Sequence, residues 1–151
     1  MVKSLAMPDP ASVEAIRAAV DAIVPPTDGQ RGGAELHVED HIVEQAEGAM
    51  QGSSDLIAAL LNAYAEGVRP GVGFAGLSRE ERVQVLRTMS SDESADIRDV
   101  ADTIQVFTLG GFFSEWTGFD PKTRTLERPP VWDEVGFDGP VRGVPEYRVD
   151  L

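Results

Sequence analysis

Apolar residues recur at every third or fourth position through much of the chain before residue 111, and this spacing predicts amphipathic helices. The first helix is predicted to begin at Pro10, where a missing N–H costs nothing, directly after a capping Asp9. The consecutive prolines Pro25 and Pro26 end this helix. Its apolar face consists of Val13, Ile16, Val20 and Ile23.

Two further helices are predicted after the polar, glycine-containing loop of residues 27–33. One covers residues 34–48, and the other runs from a cap at Ser53 or Ser54 to about Glu66. The third helix carries the strongest apolar stripe of the chain, which consists of Leu56, Ile57, Leu60, Leu61 and Tyr64.

The last two predicted helices follow a loop rich in glycine. A capping box opens the fourth helix, because Ser78 is followed three residues later by Glu81. The fifth helix runs into Gly110 and Gly111, where we expect a helix end or the close approach of another backbone. The pattern therefore predicts a mainly α-helical fold, a small domain of about five helices.

The character of the chain changes after residue 111. Residues 112–151 contain five prolines and four glycines, and no helical or alternating period survives there. The same residues hold seven of the ten aromatic side chains, although disordered segments are poor in aromatics. We therefore divide one structural domain into a helical body, residues 1–116, and a long extended, irregular C-terminal docking segment, residues 117–151.

The residues alone leave two interpretations of this segment open. It either docks on a partner protein through aromatic anchors, as interface hot spots do, or it folds back over its own helices as a cap. The aromatic residues predicted to form a partner interface are Phe112, Phe113, Trp116, Phe119, Trp132, Phe137 and Tyr147.

Composition excludes several classes of function. The net charge of −13 repels phosphate backbones, so nucleic acid is not expected as a partner. Residues 1–116 hold 19 acidic and 8 basic residues, whereas residues 117–151 hold 7 and 5, so the C-terminal segment is nearly neutral. The absence of cysteine excludes disulfides, thiolate metal sites and cysteine nucleophiles. No apolar run is long enough to span a membrane directly.

The chain's two histidines invite a metal-binding hypothesis. His37 and His41 stand four residues apart on the predicted second helix, so their side chains would share one face. The zinc motif H-E-x-x-H needs a glutamate where Val38 stands, and neither a further histidine nor a cysteine exists to act as third ligand. We therefore favour the interpretation that the two histidines lie on an ordinary surface or interface face of the helix. A standalone metal-dependent enzyme that uses His37 and His41 is kept as an alternative.

Other motifs do not mark an active site. Gly71, Gly73 and Gly76 match the letters of a dinucleotide fingerprint, but no strand is predicted before them and no basic residue follows closely to bind phosphate. A G-x-S-x-G nucleophile elbow is also missing. We therefore assign no catalytic, cofactor-binding or metal-binding residue to this chain.

Four short stretches, taken in order and spacing, carry a resemblance to a known family. They are Ile-Val-Pro-Pro at 23–26, Phe-Ala-Gly-Leu-Ser at 74–78, Thr-Leu-Gly-Gly-Phe-Phe at 108–113 and Gly-Phe-Asp-Gly-Pro at 136–140. Together they resemble the gluconate 2-dehydrogenase subunit 3 family, and the resemblance extends over most of the chain.

The resemblance implies a non-catalytic accessory subunit. Such a subunit binds and stabilises the large FAD-containing catalytic subunit of a sugar or alcohol dehydrogenase or oxidase complex, which acts on CH–OH groups. The flavin and the catalytic histidines belong to that large flavoprotein, which is of the glucose–methanol–choline oxidoreductase type, and some complexes add a cytochrome c subunit. A partner-binding module unrelated to flavoproteins remains a further alternative.

The N-terminal residues 1–8 contain one basic residue and no apolar core of a signal peptide. On this ground we expect a cytoplasmic protein. A periplasmic location is the alternative if a partner carries the chain across the membrane or if a signal was removed.

Overall fold

The structure, a computed structural model, describes residues 7–120 and 122–139. Five long helices form its body: α1 (Pro10–Ile23), α2 (Val38–Ala49), α3 (Ser53–Ala65), α4 (Arg79–Ser90) and α5 (Ala95–Phe113). After them come a two-stranded antiparallel hairpin of β1 (Phe119–Asp120) and β2 (Thr125–Leu126), and a short helix, α6 (Pro130–Glu134). Short 3₁₀ turns lie at Ala34–Leu36, Phe74–Gly76 and Glu115–Gly118. The predicted mainly helical fold is confirmed.

Helix α1 lies at the centre of the body and packs against each of the other four long helices. Small side chains on several of its faces let these neighbours approach closely, and the buried ones are Ser12, Ala15, Ala18, Ala19 and Ala22. Around α1 the core is filled by larger apolar side chains with almost no exposure, including Ile42, Leu61, Phe74, Met89, Ile104 and Phe112.

Local sequence signals set the starts of two helices as predicted. The Asp9 carboxylate accepts the backbone N–H of Ala11 at 2.8 Å and caps α1. Both hydrogen bonds of the capping box are formed at α4, since Glu81 N–H donates to the Ser78 hydroxyl and Ser78 N–H donates to the Glu81 carboxylate. Each bond satisfies an N–H that the first helical turn leaves free.

Helix α2 begins later than the sequence predicted. Residues 34–36 form a 3₁₀ turn, and His37 adopts a left-handed conformation with φ of 54°, so the α-helix begins at Val38. The chain is held in this tight path by Gly33, where a Cβ would lie 2.7 Å from Cγ1 of Val20 on α1. The single continuous helix predicted over residues 34–48 is therefore wrong at its start.

Helix α5 continues through Gly110 and Gly111 and ends at Phe113, so the predicted helix end at the glycine pair is wrong. Gly111 is buried against α2, where a Cβ would lie 2.7 Å from Cδ2 of His41 and 3.1 Å from Cγ1 of Val38. The close neighbours of this glycine are side chains of α2, and its missing side chain lets the two helices pack.

Part of the predicted docking segment folds back over the helical body. On α6, Val131 is fully buried and Trp132 is 9% exposed, and both belong to the same core as the long helices. Glu134 accepts a hydrogen bond from the guanidinium of Arg31, Nε to Oε1, at 2.9 Å and ties α6 to the loop after α1. The sequence left open whether this segment docks on a partner or caps its own helices, and α6 acts as a cap.

Candidate partner-binding surface

An open cleft lies where the end of α5, the hairpin and α6 meet helix α2. It has a volume of about 630 Å³, and we name it the aromatic cleft. Its lining combines aromatic and apolar side chains with two carboxylates, and consists of His41, Glu44, Gln45, Ser114, Glu115, Trp116, Phe119, Leu126, Trp132 and Phe137.

The chain after α5 turns sharply to form one wall of the cleft. The Ser114 hydroxyl accepts the N–H of Trp116 at 3.2 Å and donates to the carbonyl of Gly111 at 3.0 Å, which caps α5 and starts the 3₁₀ turn. The turn leads into β1, where Phe119 pairs with Leu126 across the hairpin. The rings of Trp116 and Phe119 lie 6.4 Å apart, so they form a continuous aromatic wall.

Gly118 closes this wall against the segment before α6. Its carbonyl accepts the N–H of Glu127 at 2.9 Å, and a Cβ at this position would collide with the Glu127 carbonyl oxygen. Any side chain at this position would push the backbone of residue 118 away from that of Glu127. Glycine here therefore lets the 3₁₀ turn pack directly on the segment that leads from the hairpin to α6.

Trp132 forms the floor of the cleft. Its indole N–H donates to the carbonyl of Phe113 at 2.8 Å, which satisfies a polar group that would otherwise be buried without a partner. Phe137 packs edge-on against its ring at 5.1 Å, and the Arg128 guanidinium lies 5.7 Å from the ring centre. These contacts fix α6 on the end of α5.

His41 contributes a neutral wall to the cleft. Its ring lies 5.1 Å from that of Trp116 and 6.3 Å from that of Phe107. Burial lowers the pKa of the His41 imidazole below its ordinary 6.5, and the nearby Glu44 carboxylate acts weakly in the opposite direction. The buried Nδ1 has no hydrogen-bond partner among the described residues. The lowered pKa favours the uncharged imidazole, which packs against the neighbouring aromatic rings.

The two histidines do not form the predicted pair on one helix face. His37 precedes α2 in its left-handed conformation, is largely exposed, and lies 3.4 Å from both Glu39 and Arg17. His41 instead faces the aromatic cleft. Across residues 7–120 and 122–139, no cluster of three or more potential metal-binding side chains occurs.

The glycine loop at residues 71–76 joins α3 to α4, so the element before it is a helix and not a strand. Its Phe74 is fully buried in the core, and the N–H of Phe74 donates to the Asn62 side chain at 2.8 Å. This loop joins α4 to α3. Because a helix precedes it, it does not form the strand–loop–helix phosphate site of a dinucleotide fingerprint.

A comparison with protein families matches the gluconate 2-dehydrogenase subunit 3 family over residues 10–139. The chain belongs to this family. The match begins at the first residue of α1 and ends after α6, so it includes every residue that lines the aromatic cleft. Searches of curated proteins and of solved structures each found no match. In the part of the family match that the structure describes, no helix is both long and apolar enough to cross a membrane.

The predicted interface residues of this family member divide into three groups. Phe112 is fully buried and Trp132 nearly so, and this corrects their assignment as surface anchors, because both side chains serve the chain's own core. Tyr147 lies outside the described residues. At the surface, in or beside the cleft, lie Phe113, Trp116, Phe119 and Phe137.

Sequence reasoning missed the remaining apolar members of this surface. Leu126 is 55% exposed, lines the cleft and lies opposite Phe119 in the hairpin, whereas Val135 is 45% exposed directly after α6 and does not line the cleft. The signal was present, since each is an apolar residue next to charged ones, but the hairpin that brings Leu126 beside Phe119 could not be recognised from two strands of two residues each.

Proposed function

We propose that this chain is the non-catalytic small subunit of a sugar or alcohol dehydrogenase or oxidase, and that it binds and stabilises the FAD-containing catalytic subunit. The observation that carries the proposal is a concentration of exposed apolar side chains in the segment that follows α5, and three of them, Phe119, Leu126 and Phe137, line the aromatic cleft. Five of the ten exposed large apolar side chains in the described residues belong to one short stretch of chain: Phe113, Phe119, Leu126, Val135 and Phe137.

Such a surface suits a protein partner. Contiguous exposed apolar patches are uncommon on isolated soluble proteins and mark interaction sites. Burying one phenylalanine or leucine side chain contributes about 1.5–3 kcal/mol, and aromatic side chains carry much of the affinity at interfaces. Membership of a family described as a dehydrogenase subunit supports a flavoprotein as this partner.

The chemistry of the complex belongs to the partner in this proposal. The FAD and the residues that oxidise the CH–OH group lie on the large subunit, and a cytochrome c subunit is a further candidate member. This chain acts by mass action: a ligand that binds the folded catalytic subunit and not its unfolded form shifts the folding equilibrium toward the folded form.

Isolation of the complex tests the partner directly. We expect an affinity-tagged copy of this chain, purified from its source organism, to bring down a larger protein with the absorption spectrum of a flavin. Recovery of the tagged chain alone, or with proteins that carry no flavin, would contradict the proposal.

Single substitutions then test the surface. We expect Trp116→Ala and Phe137→Ala each to weaken binding of the flavoprotein by about 30-fold, which corresponds to about 2 kcal/mol for a hot-spot side chain. Val106→Ala is the matched control, because Val106 is 63% exposed on α5 and does not line the aromatic cleft. Equal affinities for all three variants in a titration would place the interface elsewhere.

A further inference from the structure

A second apolar depression lies between helices α2, α3 and α5, and we name it the apolar groove. Its volume is about 280 Å³. It is lined by Ile42, Gln45, Ala46, Ala49, Met50, Ser53, Leu56, Ile57, Asp99, Val100, Thr103, Ile104 and Phe107, and it shares Gln45 alone with the lining of the aromatic cleft.

The groove has two helical walls of similar length. The lining residues of α2 run from Ile42 to Ala49 and those of α5 from Asp99 to Phe107, and each set recurs at the spacing of one helix face. Met50 follows α2 in an extended conformation and also lines the groove. At about 1.5 Å per residue the two walls are roughly 10 and 12 Å long, which is about two helical turns. The groove therefore matches the length over which a docked helix presents apolar side chains at positions i, i+3 or i+4, and i+7.

Burial changes sharply from the floor of the groove to its rim. Ile42 and Ile104 on the floor are at most 1% exposed, whereas Met50 and Leu56 on the rim are 58% and 51% exposed. The groove is lined mainly by apolar side chains and is open to solvent at Met50 and Leu56, so a protein helix can lay its own apolar side chains along it.

The three helices around the groove carry charge of nearly one sign. Together α2, α3 and α5 contain eight acidic residues and one basic residue, Arg98. The Arg98 guanidinium already donates to the carbonyls of Asp92 and Glu93, at 2.6 and 2.9 Å. One of the acids, Glu39, is buried in an ion pair with Arg17 of α1, and seven remain. This field attracts cationic partners and repels anionic ones.

We propose that the apolar groove binds an amphipathic helix of a partner protein whose polar face carries lysine and arginine. The apolar face of that helix covers Met50 and Leu56, and its basic residues face Asp99 in the groove and the acidic surface of the surrounding helices. The inference does not rest on the proposed function, because the groove and the aromatic cleft are lined by separate residues apart from Gln45.

A synthetic helical peptide tests this surface. The probe is a fluorescein-labelled peptide with leucines at i, i+4 and i+7 and lysines on its other face, and the matched peptide carries glutamates in place of the lysines. We expect fluorescence anisotropy of the full chain to show binding of the lysine peptide, weaker binding at higher salt, and no binding of the glutamate peptide.

Substitutions then locate the peptide. We expect Leu56→Asp and Asp99→Lys each to weaken binding of the lysine peptide by about tenfold or more, because the first removes an apolar contact and the second reverses a rim charge. Both residues are exposed, so thermal unfolding of the variants should match that of the unaltered chain. Val106→Asp is the control, since this exposed residue of α5 lies outside the groove.

Five results would overturn the proposal. Equal binding of the two peptides would show that charge does not select the partner, and unchanged affinity of both groove variants would place the peptide elsewhere. A dimer of the full chain that Leu56→Asp dissociates would make a second copy the occupant. Binding that requires removal of residues 1–6 would make the chain's own N-terminal segment the occupant. Loss of peptide binding in Trp116→Ala alone would move the peptide to the aromatic cleft and leave the proposed function standing.

Discussion

Gly110 and Gly111 are neighbours in α5, yet their surroundings are opposite. A Cβ on Gly111 would press on His41 and Val38 of α2, whereas a Cβ on Gly110 would meet open space. We expect Gly111→Ala to destabilise the chain by about 1–3 kcal/mol, because α2 and α5 must move apart. Gly110→Ala should stabilise it by about 0.5 kcal/mol or more, since alanine loses less backbone entropy in a helix.

Urea denaturation of both glycine variants measures these effects. The pair is a matched control, because the same methyl group is added one position apart on the same helix. Destabilisation by both variants to the same extent would show that helix continuity at this point, and not contact with α2, decides the cost.

At the scale of elements, the start of α3 depends on a residue from the preceding helix. The sequence predicted a cap by Ser53 or Ser54, but the residue before α3 is Gly52, in a left-handed conformation with φ of 86°. The carboxylate of Glu47 instead accepts the N–H groups of Gly52 and Ser54, at 2.8 and 2.9 Å. A side chain of α2 therefore caps α3 and joins the two helices.

These two hydrogen bonds make the contribution of Glu47 depend on pH. They lower the pKa of Glu47 below its ordinary 4.5, since they favour the ionised carboxylate in the folded chain. The resulting stability is fully present above pH 4.5 and is lost as the pH falls through the lowered pKa. We expect Glu47→Gln to cost about 1 kcal/mol at pH 7, as for other helix caps, and to cost progressively less below pH 4.5.

Denaturation at a series of pH values checks this expectation, with Glu14→Gln as the control. Glu14 is an exposed acid of α1 and does not cap a helix in the described structure. A constant difference between Glu47→Gln and the unaltered chain from neutral to acidic pH would mean that the cap is not ionised.

Helix α6 belongs energetically to the helical body. Trp132 is almost fully buried and hydrogen-bonded to the end of α5, whereas Trp116 is partly exposed in the cleft wall. We expect Trp132→Ala to lower the free energy of unfolding of the isolated chain by about 3 kcal/mol or more. Trp116→Ala should lower it by less than about half of that, because a partly exposed ring loses less buried area.

The two tryptophan variants separate folding from docking when unfolding is followed by circular dichroism. A Trp132→Ala chain as stable as the unaltered protein would show that α6 does not hold to the body in solution. In that case the C-terminal segment would again be a candidate for docking along its whole length.

At the scale of the whole molecule, local patterns were sufficient to predict the helical body. Helices α1 and α4 begin where Asp9 and the Ser78–Glu81 box place them, because their caps lie within a few residues of the helix. The four short stretches also indicated the family that the chain belongs to. These features depend on neighbours in sequence, so the sequence alone contains them.

Several of the errors come from contacts between residues that are not close neighbours in sequence. Gly33 packs closely on Val20 of α1 where the chain turns before His37, and Gly111 fits against α2 inside the continuing α5. The sequence also could not predict which aromatic residues are exposed, since the burial of Trp132 depends on how α6 packs against the end of α5. Composition could identify an aromatic-rich segment, but not which of its rings face outward.

In the proposed function, this chain acts only by binding and stabilising another protein, the FAD-containing catalytic subunit. The most direct test of that claim uses the flavoprotein that co-purifies with it, prepared from cells with and without this chain. Thermal release of flavin fluorescence and FAD content are measured in both preparations. We expect a lower melting temperature and less FAD in the catalytic subunit alone, and we expect both to be restored when the purified chain is added. The same melting temperature and FAD content in both preparations would contradict it.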